Sequence, residues 1–454
     1  MPPQLALLIG LLLVGYLFWM DLKRKDGPSK ELWIPLIWMF LAGSRYVSQW
    51  LQYSPSSSDA SYEGSPLDAV VFFLLIVGGL FVLSRRKIDW NRLFAQNKWI
   101  WFYFAYCAIS IVWSDYPFVS FKRWIKELGN PIMVLVILTD RRPVEAIDSI
   151  LRRLAVAWLP LSIVFFKYFP GLGRQFHEST GELFATGVGL HKNSLGMLCL
   201  ICGIYFAWKY LVKNRDNFKW NWQENIADLA LMVLVVWLLN LSKSATSMVC
   251  LVVAVILILV GRLKIFAQKP GAIINLLIAF IPVFILLQEV FGITDIILDL
   301  LGRDRNLTTR VPIWEFLKGM APNPILGAGY YSFWMGDRLE MIWGFTGRTI
   351  NQAHNGYLEQ YLNLGYIGLF FTGAMIVAGL LKVRRQLTVN YPLGMLNLCF
   401  IVSAVLYNYT EASFYGINNI WLLLLFGITE VSGDKRSVSE TVKLDGANRI
   451  KQAV

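Results

Sequence analysis

His354 is the residue of this chain with the clearest capacity for proton chemistry. It is one of three histidines in 454 residues, and it lies in Asn351–Gly368, NQAHNGYLEQYLNLGYIG, just before a long apolar run. An imidazole at the mouth of a membrane helix can exchange protons near neutral pH, because its unperturbed pKa is about 6.5. The alternative is an interfacial histidine that hydrogen-bonds a loop. Asn355, the next residue, is a predicted substrate contact.

Arg310 is a candidate phosphate ligand, because it falls in the first turn of a short helix that the threonine pair 308–309 can cap. The dipole at the helix amino terminus and the positive charge both favour an anion there. A guanidinium can also bind two phosphate oxygens at once, which a lysine cannot. The alternative is a loop arginine paired with Asp304 or Glu315.

The stretch 187–196, GVGLHKNSLG, is a second polar cluster, at the start of an apolar segment. His191, Lys192 and Asn193 enter the predicted membrane together, which indicates contact with a phosphate or another polar group of a substrate. The alternative is helix capping by Ser194 together with contacts to lipid headgroups.

Lys243 is the centre of a third cluster, LSKSATS at 241–247, in a turn of a few residues between two apolar segments. A charge at this depth is costly and indicates a functional cavity. Tight packing of helices through the small hydroxyl residues is the competing interpretation.

The composition predicts an all-α polytopic membrane protein. Mean hydropathy is +0.51, 56% of the residues are hydrophobic and 16% are charged, whereas soluble domains are about one quarter charged. Apolar stretches near the roughly 20 residues that a helix needs to cross a bilayer recur along the chain. We expect about 12–13 transmembrane helices, in the segments 4–20, 32–51, 69–84, 98–113, 126–139, 154–170, 194–211, 226–242, 245–261, 272–291, 360–381, 393–409 and 417–430.

The distribution of basic residues predicts the orientation of the chain. Of the 42 lysines and arginines, 28 lie in alternate connections and in the tail, which the positive-inside rule places in the cytoplasm. The amino terminus is then outside and the carboxyl terminus inside. The net charge of +12 reflects this topology and attraction to anionic lipid, and its dispersal argues against a nucleic-acid partner.

Fourteen basic residues break this bias, because they lie in or beside the outward-facing half. Charges at membrane depth tend to line functional cavities, so we expect an outward-facing pocket for an anion. Arg123 and Arg303 are its predicted substrate-binding arginines. The full set is Arg45, Lys122, Arg123, Lys126, Lys167, Arg174, Lys192, Lys243, Arg303, Arg305, Arg310, Lys318, Arg338 and Arg348.

The connection between the tenth and eleventh segments is far longer than the others. Residues 292–359 are predicted to form a large outward loop with short amphipathic helices, rich in aromatic residues that suit stacking against sugar rings. The alternative is anchoring of tryptophan and tyrosine at the lipid headgroups. The predicted organisation is N-terminal transmembrane helices (1–291), this loop, C-terminal transmembrane helices (360–430) and a disordered cytoplasmic tail (431–454).

No nucleotide-binding or metal-binding signature occurs in the sequence, such as a P-loop, a GxGxxG or paired histidines at helix spacing. The five cysteines fall in apolar runs and are expected to be small buried residues rather than disulfide partners. We therefore expect a reaction without metal or cofactor, whose energy comes from an already activated substrate.

Six ordered elements between residues 110 and 369 resemble the O-antigen ligase/polymerase superfamily, in particular its exopolysaccharide polymerase-like members. Each element is weak alone, but their order and the membrane topology make the combination fairly specific. The elements are SIVWSDYPFVSFKR at 110–123, GVGLHKNSLG at 187–196, LSKSATS at 241–247, GRDRNLTTRVPIW at 302–314, PILGAGYYSFW at 324–334 and AHNGYLEQYLNLGYIGL at 353–369.

The resemblance implies a membrane glycosyltransferase of the GT-C type in a bacterial inner membrane. Such proteins move a glycan from an undecaprenyl-pyrophosphate-linked donor to an acceptor hydroxyl on the periplasmic side, with inversion and without metal. The acceptor is a glycan or a lipid-linked glycan, and chain-length regulators or other polysaccharide-assembly proteins are the partners it suggests. The HKN and GRDxxLTxR-like elements favour a polymerase over a ligase.

On this resemblance His354 matches the family's essential histidine, the base or orienting group for the acceptor hydroxyl. Arg310 matches the loop arginine that binds the donor pyrophosphate. Lys243 falls where many relatives carry a second arginine, a departure that removes a two-oxygen clamp at that position. The alternative function is a transporter of a lipid-linked sugar or small anion, but the internal repeats typical of transporters are not seen in the sequence.

Overall fold

The computed structural model describes residues 1–22, 29–52, 64–176, 181–214, 222–279 and 310–431, with the backbone alone at 222–224 and 310–311. Helices form nearly all of the regular structure in these ranges, and one antiparallel hairpin pairs β1 (Arg174–Phe176) with β2 (Leu183–Ala185). The helices are α1 Pro3–Leu22, α2 Trp33–Gly43, α3 Val47–Trp50, α4 Pro66–Ser84, α5 Trp90–Gln96, α6 Lys98–Ile109, α7 Pro117–Glu127, α8 Gly129–Leu138, α9 Pro143–Tyr168, α10 Pro170–Gly173, α11 Lys192–Trp208, α12 Trp222–Ser242, α13 Ala245–Gly261, α14 Lys264–Gln268, α15 Arg310–Gly319, α16 Gly336–Thr346, α17 Gly356–Val389, α18 Tyr391–Thr410 and α19 Asn419–Ile428.

Seven helices in the described ranges are long and apolar enough to cross a membrane: α1, α4, α9, α11 with its continuation to Lys213, α12, α17 and α18. Shorter apolar helices occupy 98–113, 245–261 and 419–428. Each of the thirteen predicted segments contains a helix, although the tenth, 272–291, is described only as far as residue 279. The chain is therefore a multi-pass, all-α membrane protein, apart from its short hairpin.

The helices differ in how far the protein itself covers them. In α9, 89% of the most apolar window is buried, against 22% in α1. Trp158 of α9 and Trp421 of α19 have no exposed surface, so these helices belong to the centre of the bundle. The exposed leucines of α1, such as Leu12, suit contact with hydrocarbon chains, which are as apolar as leucine itself.

The helix that contains the sixth predicted segment begins at Pro143 instead of near residue 154. Arg152 and Arg153 are two of the 28 basic residues that the sequence places in connections between apolar segments. In the structure they lie within this helix, inside the bundle, so their assignment to a loop is wrong. Nε of Arg152 is 3.1 Å from Oδ1 of Asp228, and Nε of Arg153 is 2.7 Å from Oδ2 of Asp21. Carboxylates on neighbouring helices make this burial tolerable, and the hydropathy of one segment cannot reveal them.

Helix α17 is interrupted at Gly365, where φ is +64° and ψ is −163°. A side chain is excluded there, because an added Cβ would lie 2.1 Å from the carbonyl oxygen of Ile325. Loop backbone replaces the missing helical hydrogen bonds, since the N–H of Tyr366 donates to the carbonyl of Pro324 at 2.9 Å. The first part of α17 is thus a separate short piece that the preceding loop holds.

The described part of the predicted outer loop, 310–355, contains α15 and α16. Helix α15 begins at Arg310, so the predicted short helix is confirmed, whereas its capping pair 308–309 lies outside the described residues. The indole N–H of Trp314 donates to the carbonyl of Ala353 at 2.7 Å. This bond fixes α15 beside the segment that carries His354.

Candidate active site

His354 lies directly ahead of α17, in a backbone conformation that is unusual for its type. Its φ is +51°, in the left-handed region, which costs a non-glycine residue about 1–3 kcal/mol. The next residue, Asn355, caps α17, because its Oδ1 accepts the N–H groups of Tyr357 and Leu358, both at 3.0 Å. The predicted substrate contact Asn355 thus uses its side-chain oxygen to hold His354 at the helix end.

The His354 ring faces a carboxylate. Its Nδ1 lies 3.4 Å from Oε2 of Glu411, and 34% of the imidazole side chain is exposed. Glu411 follows the last residue of α18, and its Oε1 accepts the side-chain N–H of Asn193 at 2.7 Å. The Gly356 N–H also donates to the Glu411 carbonyl at 3.0 Å. The ends of α11, α17 and α18 therefore meet at one carboxylate, and Asn193 is 218 residues from Glu411 in sequence.

The 191–193 triplet enters α11 earlier than predicted. The helix begins at Lys192, and His191 occupies the N-cap position, so the expectation that Ser194 caps it is wrong. Lys192 turns toward the hairpin, where its Nζ lies 3.8 Å from the centre of the Phe184 ring. Of the triplet, Asn193 is the member that hydrogen-bonds within the Glu411 cluster.

His191 is electrostatically coupled to the same cluster. Its ring reaches solvent at the rim, yet partial desolvation and then the nearby His354 lower the pKa of His191. The positive charge of Arg45 acts in the same direction, and Glu411 opposes them. The neutral imidazole is therefore favoured near pH 7, so His191 offers a hydrogen bond instead of a fixed charge.

Arg45 fixes the chain ahead of His191. Its guanidinium donates to the carbonyl oxygens of Val188 at 3.0 Å and Leu172 at 2.7 Å, and its side chain is buried. Arg45 is one of the fourteen basic residues predicted to line an anion pocket. In the structure its N–H groups donate to backbone carbonyls, so Arg45 stabilises the loop that leads into α11.

Lys243 lies in the turn between α12 and α13, with a φ of +49°. Its ammonium group forms an ion pair with Glu182, which directly precedes β2, and the two side chains are 50% and 45% exposed. An exposed ion pair contributes only about 0–1 kcal/mol. A phosphate can therefore compete with Glu182 for this lysine at little cost.

Glu359 is a buried carboxylate that anchors the loop ahead of His354. One of its oxygens accepts the Ala353 N–H, and the other accepts the indole N–H of Trp334 at 2.8 Å. The first turn of α17 thus holds both the residue before His354 and a residue of the large loop. Glu359 positions the imidazole through its neighbours.

The predicted arginines are described to different extents. Arg303 lies outside the described residues, and of Arg310 only the backbone position at the start of α15 is described. Arg123 lies on α7, where it donates to the carbonyl of Tyr331 at 3.1 Å and lines a cavity under the large loop. The structure therefore assigns Arg123 to that cavity and not to the His354 cluster.

Glu411 and Glu359 are residues of the candidate site that were not predicted from the sequence. Glu411 directly follows an apolar segment, and an acidic residue at a predicted helix end is a signal for a functional site. Glu359 offers a weaker signal, as a single acidic residue at the start of an apolar helix.

The cluster of His354, Glu411, Asn193 and His191 combines a base, a carboxylate and hydrogen-bonding groups at the helix end predicted to face outward. This set suits removal of a proton from a hydroxyl group. Within the part of the chain that the structure describes, no group of three or more histidine, cysteine or acidic residues is arranged to hold a metal ion.

Comparison with known proteins gives two matches. The family described as O-antigen ligase matches residues 230–373, a range that contains Lys243, Arg310 and His354. The exopolysaccharide production protein ExoQ of Rhizobium meliloti (strain 1021) is 27% identical over 318 residues, which cover 68% of this chain and 69% of the relative. The resemblance found in the sequence is therefore confirmed.

Proposed function

We propose that this chain, a member of the O-antigen ligase/polymerase superfamily, transfers a glycan from an undecaprenyl-pyrophosphate-linked donor to an acceptor hydroxyl. Its family and its similarity to an exopolysaccharide production protein support a role in cell-surface polysaccharide assembly. The observation that carries the proposed reaction is the meeting of His354, Glu411 and Asn193 at one helix end.

His354 is the proposed base for the acceptor hydroxyl. With an Nδ1–H directed at Glu411, its Nε2 is left with a lone pair to accept the hydroxyl proton. Glu411 stabilises the imidazolium that forms, and Asn193 holds Glu411 in place. A positioned base of this kind contributes about 10²–10⁴-fold to a rate.

Departure of the lipid pyrophosphate needs positive charge on the side of the sugar opposite the acceptor. Arg310, Arg303 and Lys243 are proposed to supply it, with His191 and Lys192 as further polar contacts and without a metal. The acceptor oxygen bonds to the anomeric carbon as the bond to the pyrophosphate breaks, and the proton passes to His354. Attack opposite the leaving group inverts the anomeric carbon.

The lipid tail of the donor explains why the proposed site lies at the mouth of membrane helices. We assign it to the periplasmic side of a bacterial inner membrane, with a GT-C-type arrangement and a cytoplasmic carboxyl terminus. The units 1–291, 292–359, 360–430 and 431–454 are the proposed helix, loop, helix and tail regions. Chain-length regulators or other assembly proteins are the proposed partners.

A polymerase is preferred to a ligase, and glycan analysis of a deletion strain separates them. Loss of polymer with single lipid-linked repeats remaining supports a polymerase. Finished polymer left on its lipid carrier identifies a ligase. Unchanged surface glycan contradicts both.

The break of α17 at Gly365 favours a second candidate, a transporter of a lipid-linked sugar, because transporters use interrupted helices at their binding sites. The same deletion strain tests it. Lipid-linked repeats held on the cytoplasmic leaflet indicate a transporter, whereas repeats that have reached the outer leaflet indicate a transferase.

A further inference from the structure

A cavity of about 480 Å³ lies under the large loop, between α7, α16 and the connection after α18. Its size is within the range of about 300–1,000 Å³ typical of small-molecule sites. Aromatic rings form much of its wall: Tyr46, Tyr331, Trp334, Trp343 and Tyr415. His354 does not line it, so it is separate from the proposed reaction centre.

Glu127 is a buried carboxylate in the wall of this cavity, with 1% of its surface exposed. Its Oε2 accepts hydrogen bonds from the Tyr330 hydroxyl and from the Gly416 N–H at 2.9 Å. Its Oε1 has the indole N–H of Trp421 as a neighbour, but this contact lies outside good hydrogen-bonding geometry. A buried carboxylate oxygen left in this state is costly unless another group satisfies it.

Lys126, the neighbouring residue, contributes an ammonium group to the same wall. Its Nζ lies 4.8 Å from the centre of the Tyr46 ring and 4.6 Å from that of Phe72. The contacts described for it are with these aromatic rings, so its N–H donors are available to a ligand.

We propose that this cavity binds a pyranose of the glycan substrate, remote from the reacting bond, whose hydroxyl groups contact Lys126 and Glu127. The inference rests on the proposed function and names a part of its substrate. A sugar hydroxyl can accept from Lys126 and donate to Glu127, and aromatic faces can pack against the ring.

The cavity is connected mechanically to His354. Trp334 lines the cavity and donates to Glu359, which also holds the N–H of Ala353. Asn351, another residue of the wall, lies three positions before His354. A sugar in the cavity therefore contacts the segment that positions the His354 imidazole. It would fix the position of the glycan relative to that imidazole.

The test uses the full-length protein in lipid nanodiscs with a lipid-linked repeat as substrate. Glu127→Gln and Lys126→Met should each raise KM for this substrate about tenfold, with kcat within about twofold of wild type. Glu340→Gln is the matched control, because it makes the same change at an exposed carboxylate on α16, whose Leu339 lines the cavity. Thermal unfolding checks that each variant is folded.

A second measurement separates this inference from the proposed function. The probe is the oligosaccharide released from the lipid-linked repeat by mild acid, titrated into His354→Ala protein with or without Glu127→Gln. Weaker binding with Glu127→Gln supports the subsite, even if wild-type protein forms no product and the proposed transfer is wrong. Equal binding, or KM values equal to those of Glu340→Gln, overturns the subsite.

Discussion

At the scale of single residues, His354 is held where its own backbone preference would not place it. A φ of +51° persists only where neighbours impose it. The Asn355 cap fixes the following turn, and Glu359 holds the preceding residue. Asn355 and Glu359 thus orient the His354 imidazole toward Glu411. This arrangement is typical of a residue that must be pre-positioned for chemistry.

His354→Ala should lower transfer by at least about 10²–10⁴-fold, because the base is lost. Glu411→Gln should cause a smaller loss of about 10- to 100-fold, since the base remains but its charge partner is gone. Product formation from a lipid-linked repeat measures both, with Glu340→Gln as the control for the carboxamide change. Wild-type activity in a folded His354→Ala protein would remove the catalytic role.

Arg310→Lys should also be poorly tolerated. The charge is kept, but the planar fork that can hold two phosphate oxygens is lost. We expect about a tenfold or greater fall in kcat/KM, measured with the same lipid-linked substrate. Lys318→Arg at the other end of α15 is the control for a basic exchange. Full activity of Arg310→Lys argues for a structural loop arginine.

At the scale of elements, the large loop and α17 form one unit. The break at Gly365 exposes backbone groups that the loop satisfies, and close approach at Gly327 brings the loop against the backbone of Asn363. Because the loop completes the helix, displacement of one disturbs the other. This coupling explains how residues before and after His354 can share one rigid frame.

Gly365→Ala should destabilise the protein by roughly 1–3 kcal/mol from the backbone conformation alone, with a further steric contribution at Ile325. Gly373→Ala, later in the same helix, has open space around its added Cβ and should be neutral or slightly stabilising. Melting temperatures of the two variants provide the comparison. Equal values would mean that the helix is not broken at Gly365.

At the scale of the whole molecule, a charge network joins the helices at the end away from the proposed site. Asp228 has no exposed surface, and its carboxylate meets Arg152, Lys209 and the hydroxyl of Tyr210. Contacts of this kind tie α9, α11 and α12 together. Their role is to fix how these helices pack, since removal of one partner leaves buried charge uncompensated.

Asp228→Asn should cost about 3–5 kcal/mol, because Arg152 and Lys209 lose a shared counter-charge. The control is Arg385→Ala, which breaks a pair with Glu430 at 3.8 Å in which the arginine is 72% exposed. That change should cost less than about 1 kcal/mol. Melting temperature and yield of folded protein measure both, and similar losses for the two variants contradict the network.

Much of the fold and part of the candidate site could be predicted from the sequence, because hydropathy, charge bias and turn preference are properties of consecutive residues. Hydropathy over windows of helix length identified the membrane class and helices in all thirteen segments, within the described residues. Charge bias and turn chemistry identified the short helix at Arg310. Local polarity singled out His354 and the 191–193 triplet, and the ordered elements identified the superfamily.

Only the tertiary structure decided which of these residues act together. Asn193 lies in α11, His354 lies directly before α17 and Glu411 lies directly after α18, so their contact depends on how these helices rotate and pack. The same packing buried Arg152 and Arg153 beside carboxylates, committed Arg45 to carbonyls and directed Arg123 to the cavity of Glu127. The sequence of one segment does not specify which surface packs against it. The partners of these side chains can therefore be identified only from the folded bundle.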